Sequence, residues 1–123
     1  MLVGTVRPFP KAVVVVADDD RATSDHIAQL LRARGATVIA VQSGQRAVDA
    51  VRSQPVDLAV LDLTMPGLSG VDACKVIKAI KTNEFLPVVV MTAPGDAASR
   101  LKAARTHADE LVAKPFQDAE PVS

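Results

Sequence analysis

Short apolar runs without polar alternation recur along this 123-residue chain, and they constrain its fold more than any other feature. The runs VVVV, LAVL and VVVM are rich in β-branched residues, which favours strands. A strand that is apolar at nearly every position is typical of a parallel sheet covered on both faces. Between the runs, apolar residues return at the i, i+3, i+4 spacing of a helix. The pattern therefore predicts an α/β domain built from βαβ units.

Strands and helices are predicted in alternation. We expect strands at 12–17, 37–41, 58–61, 87–91 and 110–113, and helices at 21–34, 44–53, 70–81 and 96–106. Asp20, Ser43 and Asp96 are predicted N-caps. Gly35 and Pro55 are expected to end the first two helices.

The sequence also predicts which faces of the helices are buried and which are exposed. In the first helix, Ile27, Leu30 and Leu31 are predicted to form the inner face. Three lysines that recur at every third residue of the third helix are expected to form a solvated face: Lys75, Lys78 and Lys81. The PGLSG segment before that helix is interpreted as a turn rather than a nucleotide loop, because neither GxGxxG nor GxxxxGK[ST] occurs.

Composition narrows the class of protein. The 14 basic and 14 acidic residues balance, which argues against nucleic-acid binding through a general basic surface. The single cysteine, Cys74, excludes an internal disulfide and suits a reducing cytoplasm. No apolar run approaches the roughly 20 residues that a membrane span requires. We therefore expect a cytoplasmic domain that binds neither nucleic acid nor membrane.

Chemically interesting side chains follow the ends of four predicted strands. They are Asp18, Asp19, Asp62, Thr92 and Lys114. Because the carboxyl ends of parallel strands share one edge of the sheet, these groups can converge. Clustered carboxylates repel unless a cation offsets them, and hard oxygen ligands suit Mg²⁺. A carboxylate nucleophile, a metal, a lysine and a hydroxyl together favour phosphoryl transfer.

Four motifs now define a family resemblance. The segments VVVVADDD, LDLTMPGLSG, VVVMTA and VAKPF, in that order, closely resemble the receiver domain of two-component response regulators. The resemblance covers residues 12–116, leaving an N-terminal leader at 1–11 and a short tail at 117–123. It implies a flavodoxin-like, doubly wound sheet of five parallel strands in the order 2-1-3-4-5. Only QDAEPVS follows the last motif, so we expect the family's fifth helix to be missing or very short.

The resemblance also implies roles for individual residues. Asp62 is expected to accept a phosphoryl group from a histidine kinase or a histidine phosphotransfer protein. Asp19, Asp62 and the backbone carbonyl of Thr64 are expected to bind Mg²⁺, with Asp18 acting through water. The remaining expected phosphoryl contacts come from Lys114, from the Thr92 hydroxyl and from the backbone amides of Thr64 and Ala93.

Three features depart from the family pattern. Leu111 stands where receivers usually carry an aromatic residue that switches rotamer with Thr92. Thr64 and Pro94 stand where polar side chains usually tune attack by water, which predicts a long-lived phosphoryl group. The short tail has three explanations: truncation, a homodimer that covers the exposed sheet face, or an N-terminal leader that folds over that face. Truncation or a homodimer is favoured.

Three functions are compatible with these residues. The leading prediction is a phosphorylated signalling domain, not an enzyme in the ordinary sense, that acts on a downstream protein or output domain. The first alternative is an interaction or dimerisation scaffold that does not depend on phosphorylation. The second is an aspartate-nucleophile phosphatase, but Thr64 stands where that chemistry requires a second acid.

Overall fold

A computed structural model describes residues 12–80, 86–92 and 108–113 of the chain. In these ranges strands and helices follow one another in the predicted order. The elements are β1 (Val13–Ala17), α1 (Arg21–Arg32), β2 (Thr37–Val41), α2 (Gly44–Ser53), β3 (Leu58–Asp62), α3 (Gly70–Ile80), β4 (Val88–Thr92) and β5 (Glu110–Ala113).

The five described strands form one parallel sheet in the order β2-β1-β3-β4-β5. This confirms the predicted 2-1-3-4-5 order. β1 pairs with β2 on one side and with β3 on the other, so the strand order of the sheet reverses at β1. In doubly wound folds, ligands bind in the crevice at such a reversal, outside the carboxyl ends of the strands.

The sheet separates two apolar cores. Successive residues of a strand point to opposite faces, so Val15 belongs to the larger core and Val16 to the smaller one. Helices α2 and α3 cover the larger core, to which Cys74 contributes a fully buried side chain. Helix α1 covers the smaller core with Ile27, Ala28 and Leu31. The apolar strands thus reflect burial on both faces, as expected.

The inner face of α1 differs from the prediction at Leu30, whose side chain is 51% exposed. The face that packs on the sheet has i, i+3, i+4, i+7 spacing and consists of Ser24, Ile27, Ala28 and Leu31. Leu30 lies off this stripe, and Ser24 and Ala28 are buried in its place. The leucine was misassigned because it is more hydrophobic than the serine and alanine that are buried.

The predicted ends of α1 are largely correct. Asp20 occupies the N-cap position, but its side chain makes no capping bond to the backbone and instead accepts the Thr23 hydroxyl. The helix ends at Arg32, two residues before the predicted end. Gly35 follows with a φ of 98°, a left-handed conformation that glycine adopts without strain.

The next two helices are capped by serines. The Ser43 hydroxyl accepts the backbone N–H of Arg46 at 3.1 Å, as predicted for α2. The Ser69 hydroxyl accepts the N–H of Asp72 at 3.2 Å at the start of α3. Each bond satisfies one of the backbone donors that a helix start leaves open.

Lys78 departs from the solvated face predicted for the α3 lysines. Its ammonium donates to the Leu86 carbonyl at 2.9 Å and to the Asp109 carboxylate at 2.6 Å. The same carboxylate oxygen accepts the Val88 N–H at 2.8 Å. Spacing along the helix could not reveal this ion pair, because its partner is 31 residues away in the chain. The contact ties α3 to the starts of β4 and β5.

Several predictions fall outside the described residues. These are the leader at 1–11, the helix at 96–106 with its Asp96 cap, Lys81, Ala93, Pro94, Lys114 and the tail at 117–123. The expectation of a missing or very short fifth helix belongs to the same group. In the part of the chain that is described, no helix has the length and apolar character needed to cross a membrane.

Candidate functional site at the carboxyl edge of the sheet

Asp62 is the last residue of β3, the central strand of the described sheet. It pairs in register with Met91 of β4, and it is only 5% exposed. The next residue, Leu63, continues the ladder by donating its N–H to the Met91 carbonyl at 2.9 Å. The strand thus holds Asp62 through its backbone at the edge where ligands bind in this class of sheet.

Asp18 and Asp19 follow the neighbouring strand, β1. Ala17 pairs with Leu61, so Asp18 and Asp62, the residues that follow this pair, lie at the same edge of the sheet. Asp18 is fully buried, and its carboxylate accepts the Asp20 N–H at 2.9 Å. The Asp18 N–H donates to the Val41 carbonyl at 3.1 Å. These bonds fix the β1–α1 turn, while Asp19 remains exposed.

The three carboxylates converge. One oxygen from each of Asp18, Asp19 and Asp62 lies within 4.8 Å of the others. Among the residues that the structure describes, this is the one group of three or more acidic, histidine or cysteine side chains close enough to share a metal ion. Acids this close repel one another unless a cation is bound, so their chemistry suits a divalent metal with oxygen ligands.

Thr92 ends the adjacent strand β4 and is 3% exposed. Its hydroxyl donates to the Val112 carbonyl across a long distance of 3.5 Å, so the bond is weak. Thr92 pairs in register with Ala113, the last described residue before Lys114. Leu111 lies in β5, as Ala113 does, and is half-buried against the larger core.

The loop between β3 and α3 completes the edge. Leu63 and Met65 are buried in the larger core, whereas Thr64 between them is exposed. Gly67 has a φ of 76°, which confirms the turn predicted there. Thr64 therefore lies between two residues that are packed into the core.

Of the predicted site residues, Asp18, Asp19 and Asp62 therefore form one cluster. Thr92 and Thr64 lie in the strand and loop next to it, and Leu111 lies in the outer strand. Lys114 and Ala93 are outside the described residues.

Sequence reasoning missed two glycines beside the site. Gly44 begins α2 and Gly70 begins α3, and both lie against the backbone of the β3–α3 loop. Their one available signal was glycine at a helix start, a position that glycine shares with several other residues.

A doubly wound parallel sheet with acidic residues clustered at its carboxyl edge defines the class of α/β ligand-binding domains. Within this class, a family model described as the response regulator receiver domain matches residues 14–122. The match covers most of the chain, so the chain belongs to the response regulator receiver domain family. Both the predicted family and the predicted fold are confirmed.

Individual relatives agree with this assignment. The chain is 34% identical over 110 residues to the DNA-binding response regulator MtrA of Mycolicibacterium smegmatis, covering 89% of this chain and 47% of the relative. It is 33% identical over 112 residues to the phosphate regulon transcriptional regulatory protein PhoB of Rhizobium meliloti, covering 91% and 48% respectively. The chain thus spans about half the length of these curated relatives.

A solved structure resembles the fold. The response regulator TrrA of Thermotoga maritima, determined in complex with Mg²⁺ and BeF, matches with a TM-score of 0.74 and 28% identity. The match covers 85% of this chain and 88% of TrrA.

Proposed function

We propose that this receiver domain accepts a phosphoryl group on Asp62 from a phosphohistidine, with Mg²⁺ held by the acidic cluster. The convergence of Asp18, Asp19 and Asp62 within 4.8 Å is the observation that carries the proposal. It joins residues from two strands at a ligand-binding edge, and carboxylates so close together are unfavourable unless they hold a cation.

The proposed reaction is nucleophilic. A carboxylate oxygen of Asp62 attacks phosphorus, the phosphorus–nitrogen bond of the donor breaks, and the bonding electrons leave with the imidazole, which takes up a proton. The product is an acyl phosphate on Asp62. Bound Mg²⁺ supplies positive charge that offsets the phosphoryl oxygens and the acids.

Neighbouring groups then have supporting roles. Asp19, Asp62 and the Thr64 carbonyl would bind the metal directly, and Asp18 through water. The weakly bonded Thr92 hydroxyl is available to donate to a phosphoryl oxygen. By the family resemblance, Lys114 and the amides of Thr64 and Ala93 would hold the other oxygens.

The biological setting follows from the family. We propose a histidine kinase or histidine phosphotransfer protein as donor, and a change in the domain's interaction surface as the output, transmitted to a downstream protein or output domain. In this role residues 12–116 act as the receiver unit and the domain turns over no substrate of its own. A reducing cytoplasm suits the buried thiol of Cys74.

Mass spectrometry after incubation with acetyl phosphate and Mg²⁺ tests the proposal. The wild-type chain is expected to gain one phosphoryl group, and Asp62→Asn to gain none. Asp57→Asn is the matched control, because Asp57 precedes the same strand at the opposite edge of the sheet and is exposed. An adduct that persists in Asp62→Asn, or that is absent from the wild type, would refute the assignment.

A second candidate function is a scaffold that works without phosphorylation. Leu111 favours it, because this half-buried aliphatic side chain cannot perform the aromatic rotamer switch of the family. Chemical-shift mapping with beryllofluoride and Mg²⁺ separates the two functions. Shifts confined to the acidic edge or spreading to β5 favour phosphorylation control, whereas no shifts favour the scaffold.

A further inference from the structure

The four described glycines that end or begin a helix or turn fall into two groups. Gly35 and Gly67 have positive φ angles of 98° and 76°. Gly44 and Gly70 do not, so a left-handed backbone is not the reason for glycine at these two positions. An alanine would even favour the helix at both positions, unless something occupies the space of its Cβ.

At Gly70 that space is occupied by the backbone of the proposed phosphoacceptor. A Cβ there would lie 2.8 Å from the carbonyl carbon of Asp62, closer still to its oxygen, and 2.9 Å from the Cα of Leu63. These are backbone atoms, which cannot turn away as the end of a flexible side chain can. The Gly70 N–H also donates to the Leu63 carbonyl at 2.9 Å, so α3 begins directly against the end of β3.

At Gly44 the space is occupied by the far end of the same loop. A Cβ there would lie 3.1 Å from the carbonyl carbon of Leu68, closer to its oxygen, and 3.3 Å from the Cβ of Ala73. Gly44 is the first residue of α2 and is buried. The start of α2 thus limits where the loop can go before it enters α3.

From these contacts we infer that Gly44 and Gly70 are positioning residues for the proposed metal and phosphoryl site, an inference that rests on the proposed function. Their missing side chains let two helix starts close on the β3–α3 loop from both ends. Leu63 and Met65 hold the loop from the core side. Together these contacts fix the Thr64 carbonyl relative to the Asp62 carboxylate.

Gly70→Ala and Gly44→Ala test the inference, with Gly35→Ala as the matched control. The control introduces backbone strain at a positive φ at the other end of α1, away from the acidic cluster. Mg²⁺ affinity is measured by NMR titration, because the chain has no Trp or Tyr for fluorescence. Both test variants are expected to bind Mg²⁺ about 10- to 100-fold more weakly, the usual effect of disturbing groups that orient metal ligands. Their rates of labelling by acetyl phosphate fall in parallel.

The control is expected to lose stability while it keeps the wild-type Mg²⁺ affinity and labelling rate. Wild-type affinity and labelling in a folded Gly70→Ala or Gly44→Ala variant would overturn the inference and leave the proposed function intact. If only Gly70→Ala fails to fold, the Mg²⁺ affinity and labelling rate of Gly44→Ala decide whether the inference holds. If neither variant folds, the glycines serve the core rather than the site, and the inference is wrong. A wild-type chain that binds Mg²⁺ but takes no phosphoryl group would refute the proposed function, and the Mg²⁺ titrations would still decide the role of the glycines.

Discussion

The ion pair between Lys78 and Asp109 gives a stability prediction that can be worked out bond by bond. One oxygen of Asp109 accepts the Val88 N–H at 2.8 Å and the Lys78 ammonium at 2.6 Å. The Asp109 N–H in turn donates to the Val88 carbonyl at 2.8 Å. The carboxylate therefore adds one rung between β4 and β5 before β5 begins. Replacement by alanine removes this acceptor, whereas replacement by asparagine removes only the charge.

Two terms set the magnitude. Loss of the acceptor leaves the amide of the fully buried Val88 without this bond, and a change of this kind costs about 1–3 kcal/mol. The side chains of Lys78 and Asp109 are 27% and 42% exposed, so solvent screens the ion pair and its share is about 0.5 kcal/mol. We expect Asp109→Ala to lower the free energy of unfolding by about 2 kcal/mol and Asp109→Asn by about 0.5 kcal/mol.

Urea unfolding followed by circular dichroism measures both changes. A loss of about 2 kcal/mol moves the midpoint by roughly 1 M for a domain of this size. A double-mutant cycle of Asp109→Asn with Lys78→Met isolates the ion pair, whose coupling energy should fall in 1 M salt. Equal midpoints for wild type and Asp109→Ala would refute the reasoning.

The same pair predicts a pH dependence. The hydrogen bond from Lys78 is the main cause that holds the pKa of Asp109 below its ordinary value of 3.8, with the Val88 N–H helping and burial opposing. A lowered carboxyl pKa contributes stability that is present in full above the unfolded-state pKa. This contribution is lost as pH falls through the folded-state pKa. The difference between wild type and Asp109→Asn should therefore be constant from neutral pH down to about pH 5 and shrink below about pH 4. A constant difference throughout would contradict this.

Three further predictions concern the site and its surroundings. Excess Mg²⁺ at about 100 times its Kd should stabilise the wild type by about 2.7 kcal/mol and Asp19→Asn by less. Thermal unfolding measures both effects, and equal shifts of the unfolding temperature would exclude Asp19 as a ligand. Leu111→Ala should lower the free energy of unfolding by about 1–2 kcal/mol, since the side chain is only half-buried. Labelling by acetyl phosphate should continue, and its loss in a folded variant would contradict this prediction. The phosphoryl group should be long-lived, because Thr64 carries neither an amide nor an acid to orient water, and rapid-quench decay within seconds would exclude it.

The sequence predicted the sheet well because each strand carries its own signal. Runs such as Val13–Ala17 are apolar at every position and are fully buried from Val14 onward, which requires a sheet covered on both faces. The end of α1 was also readable, since Gly35 adopts a conformation that other residues avoid. The exposure of Leu30 was not, because three-dimensional packing decides which of two overlapping stripes faces the sheet.

The sequence predicted some features of the candidate site and not others. Asp18, Asp19 and Asp62 were predictable because strand ends in a parallel sheet share one edge, and they form a cluster in the structure. The contacts of Gly70 and Lys78 were not, because each depends on the distance between segments that are separate in sequence. No local pattern encodes how close a helix comes to a strand end.

The position of β1 between β2 and β3 has a consequence for how the protein is made. Asp18 leaves the ribosome before Asp62, so it has no neighbour at position 62 until the third strand has been synthesised and has docked beside the first. Pairing of this kind closes a long stretch of chain and is slow compared with forming a single helix. A chain in which the third strand has not docked therefore lacks the acidic cluster, so the proposed site forms only when the sheet itself has folded.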